Sequence, residues 1–262
     1  MNHSPTVKSW LLGLIAVGLA TPLAAESPST SGARLEVFPP AVQLKGHDSR
    51  QQLLISTFDG DNRRRDVTGN AQLDVGDATI ATVDANGVVH PVGTGTTKIV
   101  ATHDGQTVTV PVSIERGEDF LPLNFTNDIA PIFTKAGCNG GGCHGKTTGQ
   151  GGFRISLFGF RPRQDHELIT REARGRRLFV TAAEKSLLLQ KPTMALPHGG
   201  GRRLEVDSPE YQRLVRWISE SAPWGSDDAP RLTGIKVWPR TSIMGPQEQQ
   251  QVVVMATYSD GS

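Results

Sequence analysis

The chain has two cysteines in 262 residues, Cys138 and Cys143, and His144 follows the second directly. Two thiols followed at once by a histidine are the arrangement that attaches c-type haem: the sulfurs form thioethers with the porphyrin vinyl groups and the imidazole ligates iron. The usual motif has two residues between the cysteines. Here there are four, Asn139-Gly140-Gly141-Gly142. On a continuous helix a spacing of three turns the second residue by about 60°, and a spacing of five by roughly 140°, onto another face. The loop is therefore not plain helix. Its three consecutive glycines accept positive φ and allow the extra residues to bulge while both sulfurs face one ring.

Other chemistry fits the same residue types. Cys138 and Cys143 would form a small-loop disulfide in an oxidising compartment if the loop folds back sharply. Cys138, Cys143, His144 and His198 would supply a tetrahedral zinc site, although without the usual paired spacing. In the haem reading, His144 is the proximal iron ligand, and the distal ligand comes from the Pro/Gly-rich stretch Lys191–Gly201. Met194 would be the softer ligand there, giving a higher potential, and His198 the alternative giving a lower one. Both also have plain readings, Met194 as a packing residue and His198 as a loop histidine bonded to backbone. Between Lys135 and Arg203 the chain carries 13 Lys and Arg against 4 Asp and Glu, with Arg171, Arg174, Arg176 and Arg177 close together. Such a surplus could pair with haem propionates or steer a redox partner that is acidic at its docking site, or it could simply solvate one helix face.

The flanking segments must position this loop. Short strands are expected at Leu35–Phe38, Gln52–Phe58, Gly87–His90, Lys98–Ala101 and Thr107–Ile114, separated by Asp59-Gly60, Asn86-Gly87 and Asp104-Gly105 turns. That is an all-β sandwich, without the cysteines an inter-sheet disulfide would need. In the middle segment, Thr126 or Asn127 is expected to cap a helix running through Ala136, with Pro131 in its first turn. Asp207 or Ser208 caps a second, Pro209 begins it, and Tyr211, Leu214, Val215 and Ile218 repeat at helical spacing. A shift of 200 places Val37 and Pro39 on Val237 and Pro239 and Thr57 on Thr257, so a second copy of the β unit begins near Leu232. It has only two strands' worth of sequence, and we expect a longer parent chain.

Two resemblances follow from these residues. Asp77–Val89 and Gly93–Ile99 resemble bacterial Ig-like group 2 domains. Asn127–Phe133, Gly137–Gly145, Ser186–Leu189, Pro197–Gly201 and Trp217-Ile218 resemble the planctomycete-type cytochrome c-like domain. Together they imply a multidomain chain: an Ig-like sandwich at 34–116, a mainly α cytochrome c-like haem domain at 118–226, and the start of a second Ig-like sandwich at 231–262. The cofactor implied is one covalent haem c, with the helix before the Cys loop packed across the C-terminal helix.

Residues 1–25 read as an export signal: Lys8, an apolar run from Trp10 to Ala20 and small residues before Glu26, too short to span a bilayer. The rest is then periplasmic, cell-surface or secreted, with no transmembrane segment after cleavage. Net charge is +1, which excludes a global field aimed at nucleic acid. No nucleophile elbow, phosphate loop or carboxylate pair occurs, so an electron carrier or haem-binding protein is expected rather than an enzyme. His47, His90, His103 and His166 have no neighbouring ligand and read as surface or strand histidines. The competing expectation is a non-redox surface module that contacts polysaccharide or other surface proteins and uses the Cys pair as a disulfide or zinc staple.

Overall fold

The structure is a computed structural model that describes residues 34–117 and 120–262; the export signal expected at 1–25 lies outside the described residues. Ten strands come first among them: β1 (Arg34–Phe38), β2 (Val42–Lys45), β3 (Gln51–Gln52), β4 (Leu54–Phe58), β5 (Arg64–Asp66), β6 (Gln72–Val75), β7 (Ala81–Val83), β8 (Val88–Pro91), β9 (Gly95–His103) and β10 (Gln106–Glu115). They form sheets of order β1-β4-β5, β2-β10-β9-β6 and β3-β8-β7.

Alternation decides which face is buried. In β10, Val110, Val112 and Ile114 point inward while Pro111 and Ser113 face solvent. The hairpin from β9 to β10 closes through Asp104 (φ 47°) and Gly105 (φ 76°), the two positive φ values that match strand twist in a two-residue turn. β1 and β4 contribute Leu35, Val37 and Ile55 to the same core, facing Ile99 and Val112. β2 pairs with β10 in parallel, from Val42↔Val112 to Lys45↔Glu115.

Helical structure follows: α1 (Ala130–Lys135), α2 (Pro162–Thr170), α3 (Leu187–Gln190) and α4 (Pro209–Ser219). The N-terminal cap of the first helical stretch is Asn124, whose side chain accepts from the backbone N–H of Thr126 and Asn127, rather than Thr126 or Asn127 themselves. A wide π-type turn over Phe125–Ile129 then leads into α1. α4 matches expectation: Ser208 accepts from Tyr211 N–H, Pro209 starts the helix, and Tyr211, Leu214, Trp217 and Ile218 are buried. Each such side chain contributes about 1.5–3 kcal/mol on burial. Phe125 and Trp217 bring the first helical stretch against α4 with ring centroids 5.7 Å apart.

The expectation of a mainly α domain needs correction. The described chain is mostly β-sheet with few, short helices. Left-handed backbone at Phe158, Ala173, Arg174 and Met194, besides several glycines, interrupts helical propagation in this segment.

The final hairpin pairs β11 (Leu232–Trp238) with β12 (Val253–Tyr258). It is antiparallel like β1 and β4 but offset by one residue, Val237 pairing with Val254 where a strict shift of 200 from Val37↔Ile55 would bring Met255, and both copies carry a cis peptide bond before proline, at Phe38-Pro39 and Trp238-Pro239. The Phe38 and Trp238 rings stack at 4.9 Å. α4 is tied to the loop after β2 by Arg216 Nη1, which lies 2.8 Å from Asp48 Oδ2.

Candidate functional site: a pocket between two histidines

The Cys loop leaves α1 through Gly137 at φ 72°. Its turns close on themselves: Cys143 N–H donates to Gly140 O (3.0 Å), Gly145 N–H to Gly140 O (3.1 Å) and His144 N–H to Cys138 O (3.0 Å). The four-residue insert is thereby folded up, and His144 returns to the level of Cys138. Gly145 is required by close approach, since a Cβ there would lie 2.0 Å from Asn139 O.

His144 Nδ1 lies 3.0 Å from Phe153 O, and His198 Nδ1 lies 2.8 Å from Gly201 O. A carbonyl only accepts, so each ring donates through Nδ1 and, when neutral, carries its lone pair on Nε2. Burial, foremost, pushes the His144 pKa down, and the neighbouring His198 and Arg177 act in the same direction against the bond to Phe153. His144 is therefore neutral at pH 7. The two imidazoles are parallel to within 8°, with centroids 6.2 Å apart.

Both rings line a cavity of about 310 Å³ whose walls include Ile132, Phe133, Leu187, Leu188, Leu204 and Leu214. Cys138 lines it too, while Cys143 borders a smaller adjoining cavity that shares Cys138, His144 and His198. Burial, assisted by Cys143, pushes the Cys138 thiol up to about 11, so it is protonated at neutral pH and a poor nucleophile unaided. Both cysteines are free thiols in the structure. Arg176 and Lys191 also line the cavity, and Arg203 the adjoining one, where each could pair with a carboxylate of a bound group.

Of the two distal candidates, the structure brings His198 to the pocket. Met194 sits in a left-handed turn (φ 65°), 43% exposed, and lines neither cavity. The clustered arginines also separate. Arg171, Arg174 and Arg176 are exposed, whereas Arg177 is 5% exposed. Its guanidinium donates to the carbonyls of Leu168, Glu172 and Gly152 and to Glu172 Oε2, and sits 4.6 Å over the Phe153 ring. It thus holds the turn whose Phe153 carbonyl orients His144. That role was missed in the sequence; the turn itself is signalled by Gly149-Gln150-Gly151-Gly152, with φ of 63°, 59° and 72° at its glycines.

The pocket can be tested against the group its residue types imply. Two imidazoles ligating one metal from opposite sides, each at a metal–nitrogen distance of about 2.0–2.1 Å, put their ring centres roughly 6 Å apart. The His144–His198 spacing, the two Nε2 lone pairs, the apolar walls and the thiols at the edge fit haem. A protein-only zinc site is not built: among the described residues no group of three or more His, Cys, Asp or Glu gathers to hold a metal.

No family model matches the chain, and no curated protein matches it. Similar solved structures include domains 4 and 5 of the S-layer protein SbsC, at 21% identity and TM-score 0.28, covering 31% of this chain and 51% of that one. A structure of SbsC domains 1–6 covers 33% and 13% at 21% identity and TM-score 0.29. An intimin mutant of EHEC O157:H7 covers 31% and 46% at 23% identity and TM-score 0.25. These are domains of a surface-layer protein and of an intimin. The chain spans about half or less of the length of each.

These findings correct the family resemblance. No match supports membership of the planctomycete-type cytochrome c-like family with its flanking Ig-like domains, nor the role of cytochrome or electron carrier that the resemblance implied. The physical reason lies in the residues that carried them: short Gly- and Pro-rich stretches mark turns, and turns recur in unrelated folds. No helix among the described residues is long and apolar enough to cross a membrane.

Proposed function

We propose that this chain is a cell-surface binding module and not a catalyst, its sandwich and C-terminal hairpin spacing and presenting the helical segment. The observation that carries this reading is the repeat itself: β11–β12 is an antiparallel pair with the same proline corner as β1–β4, and the two copies stack through Phe38 and Trp238. On this reading the repeated β units set distance and orientation for the helical segment between them. The test is co-sedimentation of the purified chain with cell-wall polysaccharide and with surface-protein fractions. Retention in either supports a binding role; recovery of all the protein in the supernatant in both refutes it.

A second reading concerns what the module carries, and the parallel His144–His198 pair favours it. If the pocket holds a haem, Cys138 and Cys143 would be the residues that attach it, His144 and His198 the nitrogens available to its iron, and Arg176, Lys191 or Arg203 the cations available to its carboxylates. When bound, haem supplies an iron centre whose potential is set by its axial ligands. This chain's own contribution is to hold His144 neutral, to orient both rings through their Nδ1 bonds to Phe153 O and Gly201 O, and to line the site with apolar side chains. The test is a pyridine haemochrome spectrum of denatured protein expressed with cytochrome-maturation genes, alongside Cys138→Ala, Cys143→Ala and His198→Ala. A c-type band that survives denaturation and shifts or disappears in the cysteine variants is the expected result. A colourless wild-type product holding a Cys138–Cys143 disulfide sinks this second reading and leaves the binding module alone.

A further inference from the structure

A second concavity lies on the other side of the Cys loop, and it stands independently of what fills the histidine pocket. It encloses about 600 Å³ between Gly145-Lys146 and the start of α2. Three apolar side chains on its wall face solvent instead of the core: Leu157 is 46% exposed, Phe158 68% and Phe160 84%. Phe158 is held with φ 52°, and its N–H donates to Asn139 O of the Cys loop, so the aromatic wall is anchored to that loop.

The charge around these aromatics has one sign. Of the 13 Lys and Arg between Lys135 and Arg203, only Lys135, Arg163, Arg177 and Arg202 have a carboxylate partner among the described residues. Three of the unpaired ones, Lys146, Arg154 and Arg161, are exposed and line this groove, and no Asp or Glu lines it. The nearby Asp165 is 4% exposed and turned inward, accepting from Ser156 N–H and Ser156 Oγ. Bare apolar side chains clustered on a surface mark an interaction site, and three cations without carboxylate partners beside them set the sign of charge that complements it.

We propose that this groove docks an acidic segment of a partner protein that carries aromatic or aliphatic side chains, its carboxylates meeting Lys146, Arg154 and Arg161 and its apolar side chains packing on Phe158 and Phe160. The concave shape favours a chain laid into the groove over a flat bilayer, and the bare aromatics favour apolar side chains over a plain polyanion.

The test uses the whole chain and three fluorescein-labelled peptides: alternating Glu and Phe, all Glu, and alternating Gln and Phe. Fluorescence anisotropy should show tightest binding for the Glu–Phe peptide, weakening as salt rises. Phe160→Ser, and separately the pair Arg154→Ser with Arg161→Ser, should each lower affinity about tenfold or more, because both kinds of contact are used. All three side chains are exposed, so these variants should melt with the wild type. Equal binding of the Glu–Phe peptide to wild type and variants overturns the proposal. So does variant-sensitive binding to phosphatidylglycerol vesicles or to polygalacturonate without binding of the Glu–Phe peptide, which would make the surface a membrane or polyanion site.

Discussion

Arg177→Gln offers the sharpest test of how the histidine pocket is held. The Arg177 side chain is 6% exposed and makes four hydrogen bonds, three to carbonyls and one to Glu172, itself 37% exposed. Removing one partner of a buried ion pair costs about 3–5 kcal/mol. Glu172 can rehydrate and Gln can replace one or two bonds, so the lower end, about 3 kcal/mol, is expected. At roughly 2–4 °C per kcal/mol for a chain of this size, the melting temperature should fall by about 6–12 °C. The control is Arg174→Gln, an exposed arginine three positions away, expected to stay within about 0.5 kcal/mol of wild type. Thermal melts followed by circular dichroism decide it. Arg177→Gln melting together with Arg174→Gln would show that the guanidinium does not clamp the Gly152–Phe153 turn, and the account of His144 orientation would fall with it.

Within the Cys loop, Gly145→Ala should destabilise by about 1–3 kcal/mol, because its Cβ would meet Asn139 O at 2.0 Å, while Gly142→Ala, with open space around it, should not; denaturant titration separates them. His144 has a folded pKa below its unfolded value near 6.5, so the unfolded state binds more protons as pH falls through that value. The melting temperature of the haem-free chain should therefore drop from roughly pH 7 to pH 5, and the drop should be smaller in His144→Gln; identical pH profiles would contradict burial as the cause. In the two copies of the β unit, Ile55→Ala should cost about 2–5 kcal/mol and Ile235→Ala almost nothing, since Ile55 is fully buried and Ile235 is 62% exposed. Urea unfolding of both variants checks this contrast.

What could be read ahead of the structure depended on how many residues repeated one physical signal. β9 and β10 were legible because a long alternation met an Asp104-Gly105 turn, and α4 because a cap, a proline and an apolar stripe agreed. β2, β5, β6 and β7 were missed: each has only three or four residues, and Arg64–Asp66 holds no apolar side chain. The first helical cap was placed two or three residues late because a π-type turn intervenes between Asn124 and α1. At the site, residue type was enough to single out His144, His198 and Met194, whereas which of them line the cavity was visible only in the folded chain. Arg177 looks like Arg171, Arg174 and Arg176 in sequence, and only burial and four acceptors distinguish it.

The parallel pairing of β2 with β10 bears on how the sandwich carries mechanical load. In a parallel pair the start of one strand and the end of the other lie at opposite ends, so tension applied before Val42 and after Glu115 pulls the strands lengthwise past each other. All the ladder bonds between Val42–Lys45 and Val112–Glu115 then resist together in shear instead of opening one at a time. A unit wired this way should yield in one step and not by gradual unzipping when stretched between those two points.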